Sequence, residues 1–206
     1  MPVEDVTLDV DHGRSPGRLN APADPTDSGI LVLPGAGHGP FEDVFDRFAE
    51  AAADAGHTVA RFETWSDHDE RDEKTPDEFA AEIEGGAEFL RERGCETLTV
   101  VAKSFGGRLA LEHATGVADR MVLWAPAVLF GDHDEAPSIT ADELAGIEFP
   151  VGVLQGDEDE VVPPENSAEI AEHLPRGELV ELPGEGHSFL NDQGRIVEET
   201  LAFLPE

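Results

Sequence analysis

The sequence predicts an α/β protein: a doubly wound, mostly parallel sheet of about seven strands with helices on both faces. Short apolar runs alternate with longer amphipathic segments, which is the pattern of strands joined by covering helices. Five of the runs are rich in Val, Leu and Ile and bounded by Gly or Pro, as strands buried on both faces are. A chain of 206 residues with 39% hydrophobic content can also bury a sizeable core, and it is read as one domain over residues 1–206.

The expected strands are Val3 to Val10, Ile30 to Leu33, Thr58 to Phe62, Thr97 to Ala102, Arg120 to Trp124, Val151 to Leu154 and Glu178 to Leu182. The Pro- and Gly-rich stretch from Gly13 to Gly29 reads as a loop. Phe41 to Ala55 carries apolar residues at helical spacing, Phe41, Val44, Phe45 and Phe48, and Gly56 follows as a cap. Thr75-Pro76-Asp77-Glu78 opens the next helix with a capping hydroxyl, a first-turn proline and a glutamate three residues after the cap; Gly94 closes it. Phe105 to Thr115, Asn166 to Leu174 and Ile196 to Leu204 complete the set. Glu63 to Lys74 is a polar, acidic loop, and Asp132 to Phe149 is a second loop with a short helix near Ala141 to Ile147. Neither is long enough for a lid domain.

The charge is extreme: 46 acidic against 13 basic residues give a formal −33, with Lys74 and Lys103 the only lysines. Such a field repels phosphate backbones and anionic head groups, so nucleic acid and membrane surfaces are excluded as partners. The acids are spread along the whole chain, a halophilic composition whose self-repulsion is relieved when molar salt shortens the Debye length to about 3 Å. Cys95 is the single cysteine, so no internal disulfide forms, and the opening residues lack the basic and apolar regions of a signal peptide. The longest apolar run, Met121 to Phe130, contains Pro126 and is far below the roughly 18 residues of a membrane span. A cytoplasmic protein is expected, its oligomeric state left open.

Ala102-Lys103-Ser104-Phe105-Gly106-Gly107 joins a strand to a helix through a tight turn, which presents a serine at the carboxyl end of the sheet. Small residues two before and two after that serine, here Ala102 and Gly106, let strand and helix backbones approach. Ser15-Pro16-Gly17 shares the tripeptide pattern without that context. A serine hydroxyl attacks carbon only when a histidine takes its proton and a carboxylate orients the histidine. His187 lies in Gly184-Glu185-Gly186-His187 after the last strand, and Gln155-Gly156-Asp157-Glu158-Asp159-Glu160 follows the strand before it. Of these acids Asp159 is favoured and Asp157 second, with Asp132 or Asp134 more distant alternatives. Leu33-Pro34-Gly35-Ala36-Gly37-His38-Gly39 is glycine-rich after a buried strand, so its backbone can turn tightly and expose amides; Ala36 N–H and Phe105 N–H are the candidate pair for a developing oxyanion.

These loops, PGAGHG, AKSFGGRLA, QGDEDEVVP and GEGHSF, resemble the α/β-hydrolase superfamily, and within it small dienelactone-hydrolase-like serine hydrolases. The resemblance implies Ser104 as nucleophile, Asp159 as acid, His187 as base and the Ala36 and Phe105 amides as oxyanion donors. Ala102 departs from the usual first glycine of the turn, and Pro34 stands where many relatives carry histidine. Dienelactone hydrolases proper use cysteine, so Ser104 implies an esterase relative. The implied activity is hydrolysis of a carboxylic ester or thioester of a small acyl substrate, needing no cofactor and no metal. A non-catalytic interaction scaffold on the same fold is the alternative, against which the intact Ser104, Asp159 and His187 set argues. His38, Trp65, Trp124, Phe130 and Phe189 are candidates to line an open, shallow site. Lys103 and Arg108 flank the serine and are candidates to attract an anionic substrate, although Arg108 can equally pair with one of the many acids.

The charge pattern yields the first prediction. Thermal melts in increasing KCl will show Tm climbing steeply into the molar range; a flat profile would contradict a surface built for high salt.

Overall fold

The computed structural model of the chain describes residues 3–37, 39–41, 43–134 and 136–205. The chain opens with a hairpin, β1 (Val3–Val10) and β2 (Gly13–Asn20), and continues through β3 (Ser28–Leu33), α1 (Asp43–Asp54) and β4 (Thr58–Phe62). Two helices follow, α2 (His68–Glu73) and α3 (Pro76–Arg91), then β5 (Thr97–Lys103), α4 (Phe105–His113) and β6 (Arg120–Trp124). A small parallel pair, β7 (Leu129–Phe130) and β8 (Ser138–Ile139), and the short α5 (Ala141–Ala145) precede β9 (Val151–Gly156), α6 (Pro164–His173), β10 (Gly177–Leu182) and α7 (Gln193–Ala202).

The eight strands of the main sheet lie in the order β1-β2-β4-β3-β5-β6-β9-β10. β2 alone runs against the other seven strands, pairing antiparallel with both β1 and β4. Alternation along each strand builds two cores. Ile30 and Val32 of β3 face α1 and α7 together with Phe45, Phe48, Trp124 and Ile196, whereas Leu31 and Leu33 face Phe79, Ile83, Leu109 and Ile170 from α3, α4 and α6. This is the doubly wound architecture, and the described residues form no lid over it.

The expected helices appear with ends shifted by a few residues. The predicted cap of α3 is present in full: Thr75 Oγ1 accepts from Glu78 N–H at 3.3 Å, and Glu78 Oε2 accepts from Thr75 N–H at 2.8 Å. Gly56 and Gly94 both take left-handed φ values, 104° and 90°, which a glycine adopts without the steric cost of a Cβ.

Two expectations are corrected. The stretch read as a loop from Gly13 contains β2, so the main sheet has eight strands rather than about seven. Its Pro and Gly residues fit a strand for local reasons. Pro16 O accepts from Glu63 N–H at 2.8 Å, so the donorless proline nitrogen faces the end of β4 and no bond to β1 is lost. Gly17 stands opposite Phe62, whose ring occupies the space of a side chain: an added Cβ would lie 2.4 Å from Phe62 Cδ1. The acidic loop Glu63 to Lys74 likewise contains α2, capped by Asp67, whose carboxylate accepts from Glu70 N–H at 2.9 Å.

Removing the α3 cap tests this account of the helix. Thr75→Ala should cost about 1 kcal/mol and lower Tm by about 2–4 °C in a chain of this size, read from thermal melts in molar KCl.

Candidate active site

The chain leaves β3 through α1 toward β4 on one side and returns through α3 to β5 on the other, so β3 and β5 are neighbours from which the winding diverges. Ligands of open α/β sheets bind at the carboxyl ends of strands at such a point. The two strands end level, Leu33 paired with Ala102, which sets Pro34-Gly35 beside Lys103-Ser104.

Ser104 sits on the turn into α4 with φ 51° and ψ −114°, a conformation unfavourable for a residue with a Cβ. The surroundings over-determine it. Ser104 N–H donates to Trp124 O at 2.8 Å, and Ser104 O accepts from Ala127 N–H at 2.9 Å and Arg108 N–H at 3.2 Å. Gly106 then passes so near the β3 loop that an added Cβ would lie 2.5 Å from Pro34 O and 2.6 Å from Leu33 O. Ala102, at the position where the motif usually has glycine, is accommodated in the buried core.

Ser104 Oγ lies 2.9 Å from His187 Nε2, and His187 Nδ1 lies 2.8 Å from Asp159 Oδ2. The ionised carboxylate can only accept a hydrogen bond, so Nδ1 carries the N–H and Nε2 is left to accept from the serine hydroxyl. Asp159 is buried and fully engaged. Its Oδ1 accepts from Val161 N–H at 2.8 Å and Val162 N–H at 2.9 Å, and its Oδ2 also accepts from Gln155 Nε2 at 3.0 Å. Burial alone pushes the carboxyl pKa up, but the bonds from Val162 N–H, His187, Val161 N–H and Gln155 together outweigh it and hold the pKa below the ordinary value. A depressed carboxyl pKa stabilises the fold above the unfolded value and loses that contribution only as pH falls through the folded one. Asp159 is therefore ionised throughout the neutral range.

Asp157, the second choice among the acids, does different work: its Oδ1 accepts from Gly184 N–H at 2.6 Å, tying the acid-bearing loop to the one that carries His187. Glu158 N–H donates to Glu185 O at 3.0 Å in the same seam. Glu185, buried, accepts from the backbone N–H groups of Asn191 and Asp192 and closes the loop behind His187. Asp132 and Asp134 are exposed beyond β7, on the surface.

Ala36 lies in the loop beside the serine. An added Cβ on Gly35 would be 3.6 Å from Ser104 Cβ, and Ala36 O accepts from Arg71 Nη1 at 3.4 Å. Phe105 opens α4, where the first N–H groups have no intrahelical acceptor. His38 falls outside the described residues.

The expected aromatic lining is corrected at Trp124 and Phe189. Trp124 is fully buried, stacked on Phe45 at 5.7 Å, with its indole N–H donating to Thr200 Oγ1 at 2.9 Å. Phe189 is fully buried in the same core. Trp65 is buried edge-on to Phe79 and Phe105, and Phe130 packs on the His173 ring at 4.3 Å. Alternation explains Trp124: as the last residue of β6 it points to the face covered by α1 and α7. One open space near these loops is a cleft of about 350 Å³, partly open to solvent, bordered by Gly39, Phe41, Asp43, Lys103, Ser188 and Leu190. Sequence reasoning also missed Gln155, which accepts from Ser167 Oγ at 2.6 Å while donating to Asp159. Its signal was available, a lone polar residue ending the apolar run Val-Gly-Val-Leu. Among the described residues no cluster of three or more His, Cys, Asp or Glu is arranged to hold a metal ion, and no helix is long and apolar enough to cross a membrane.

The fold defines a class of protein, and known proteins share it. A family model described as an alpha/beta hydrolase domain matches residues 27–200, and the chain belongs to the alpha/beta hydrolase family. No curated protein matches it. Among solved structures it is similar to Est1E from Butyrivibrio proteoclasticus, at 16% identity and a TM-score of 0.80, over 97% of this chain and 96% of that one. XC6422 from Xanthomonas campestris, described as a serine hydrolase without lid, is 24% identical with a TM-score of 0.76, over 100% of this chain and 98% of that one. A putative dienelactone hydrolase from Klebsiella pneumoniae is 16% identical with a TM-score of 0.79, over 98% and 97% of the two chains. At these identities the likeness is one of fold.

The seam between the two loops is testable at Gly156, where an added Cβ would lie 2.1 Å from Glu185 O. Gly156→Ala should destabilise the protein by about 1–3 kcal/mol, seen as a lower Tm in molar KCl.

Proposed function

We propose that the chain is a serine hydrolase that cleaves a carboxylic ester or thioester through an acyl-enzyme. The observation that carries this reading is the continuous hydrogen-bonded line from Ser104 Oγ through His187 to the buried Asp159. Ser104 Oγ attacks the acyl carbon while His187 Nε2 takes its proton, and ionised Asp159 stabilises the imidazolium that results. The Ala36 and Phe105 N–H groups bind the oxyanion of the tetrahedral intermediate. As the C–O or C–S bond breaks, His187 returns the proton to the leaving group; water then attacks the acyl-enzyme by the same route and releases the acid. The backbone strain at Ser104 supports this assignment, since such strain concentrates at functional positions.

Labelling with a fluorophosphonate probe in molar KCl tests it. Wild type should label rapidly. Ser104→Ala should not label while melting as wild type does, and His187→Ala should label barely at all. Asp159→Asn, which loses the charge opposite the imidazolium, should slow labelling by on the order of 10³–10⁴. Undiminished labelling of Ser104→Ala would move the nucleophile elsewhere.

A further inference from the structure

Lys103 is one of two lysines and precedes the nucleophile directly. Its counterpart Lys74 bonds the buried carboxylate of Glu82. Arg108, the other cation flanking Ser104, is occupied by Glu112, with Nε to Oε1 at 2.7 Å one helical turn away. Lys103 differs from both. Alternation along β5 turns Ala102 to the α4 side and Lys103 with Val101 to the α1 and α7 side, where its ammonium lies 5.9 Å from the centre of the Phe189 ring. There it borders the cleft described above, between Gly39 at the end of the loop that carries Ala36 and Ser188, the residue after His187.

Among the described residues no carboxylate lies within ion-pair distance of Lys103. Asp159 and Asp43 act on it through space, and both oxygens of Asp159 are already engaged by Val161, Val162, Gln155 and His187. Burial accordingly holds the ammonium pKa below the ordinary lysine range, with those two carboxylates opposing. Although Asp43 also lines the cleft, a half-buried cation that no carboxylate among the described residues bonds is poised for charge brought by something else. The −33 field repels anions at long range, and molar salt shortens all such fields to about 3 Å. A substrate's charge is then read only at contact.

We propose that Lys103 is a specificity-determining residue whose ammonium binds an anionic group, carboxylate or phosphate, of the ester or thioester held in the cleft beside Ser104. The proposal rests on the serine-hydrolase reading above, which fluorophosphonate labelling tests independently. The charge can belong to the acyl part or to the leaving group, and substrates separate the two. Hydrolysis in molar KCl is compared for p-nitrophenyl acetate, which is neutral, mono-p-nitrophenyl succinate, anionic in its acyl part, and acetyl-coenzyme A, anionic in its leaving part. The quantity read is kcat/KM of each anionic substrate relative to the neutral one, in wild type, Lys103→Met and Lys103→Arg. The Met variant should lower at least one ratio tenfold or more, and the Arg variant should retain most of it; the ratio that moves identifies the charged part. Should Lys103→Met lack the wild-type melting transition, Lys103→Gln is read in its place. Ratios unchanged by removal of the ammonium overturn the proposal and leave the hydrolase reading standing. A wild type that labels at Ser104 but turns over none of the three overturns the assignment of ester and thioester substrates, and this proposal with it.

Discussion

A carboxylate buried at the end of a strand must be surrounded by donors, and the arrangement of half the carboxyl-end loops follows from that requirement. Leaving Asp159 ionised and unpaired away from water would cost several kcal/mol. The loop after β9 therefore turns so that two successive backbone N–H groups, those of Val161 and Val162, reach one oxygen, while Gln155 and His187 reach the other. The same demand draws the loop after β10 across the sheet, because His187 is one of the donors. Asp157 and Glu185 then fasten that loop in place, the first through Gly184 N–H, the second through the backbone of Asn191 and Asp192.

The other half of the site is governed by crowding. Ser104 holds an unfavourable φ, and the chain tolerates it because α4 and the β3 loop leave no other path: Gly106 touches the carbonyls of Leu33 and Pro34 as closely as a residue without a side chain can. Strain at one residue is thus offset by hydrogen bonds and packing at its neighbours. The contact also fixes the distance between the serine and the loop that carries Ala36, so two segments remote in sequence are held to one spacing by backbone atoms alone.

Much of this was legible in the sequence because it was written in local rules. Alternating apolar runs gave the parallel strands, Thr75-Pro76-Asp77-Glu78 gave a helix start, and glycines and polar residues after strand ends marked the loops that meet at Ser104, His187 and Asp159. What was not legible depended on partners. Gly17 in β2 is explained only by the Phe62 ring lying across it, and no window of sequence around Gly13 to Asn20 contains that ring. Trp124 and Phe189 look like site aromatics because they adjoin site loops, yet strand alternation turns Trp124 into the core against Phe45 and Phe48, and Phe189 is fully buried in the same core. Gln155 was passed over because its role exists only once Asp159 folds back over it.

The order of the strands has one more consequence. β1 and β10 are the two open edges of the sheet, and both carry carboxylates, Glu4, Asp5 and Asp9 on one and Glu178 and Glu181 on the other. Unpaired edge strands invite other chains to dock on them, and like charges along an edge are a common guard against it. That guard is electrostatic and shrinks with the Debye length. Any salt that screens repulsion among the carboxylates within one folded molecule would also screen this edge guard, because both act through the same Debye length.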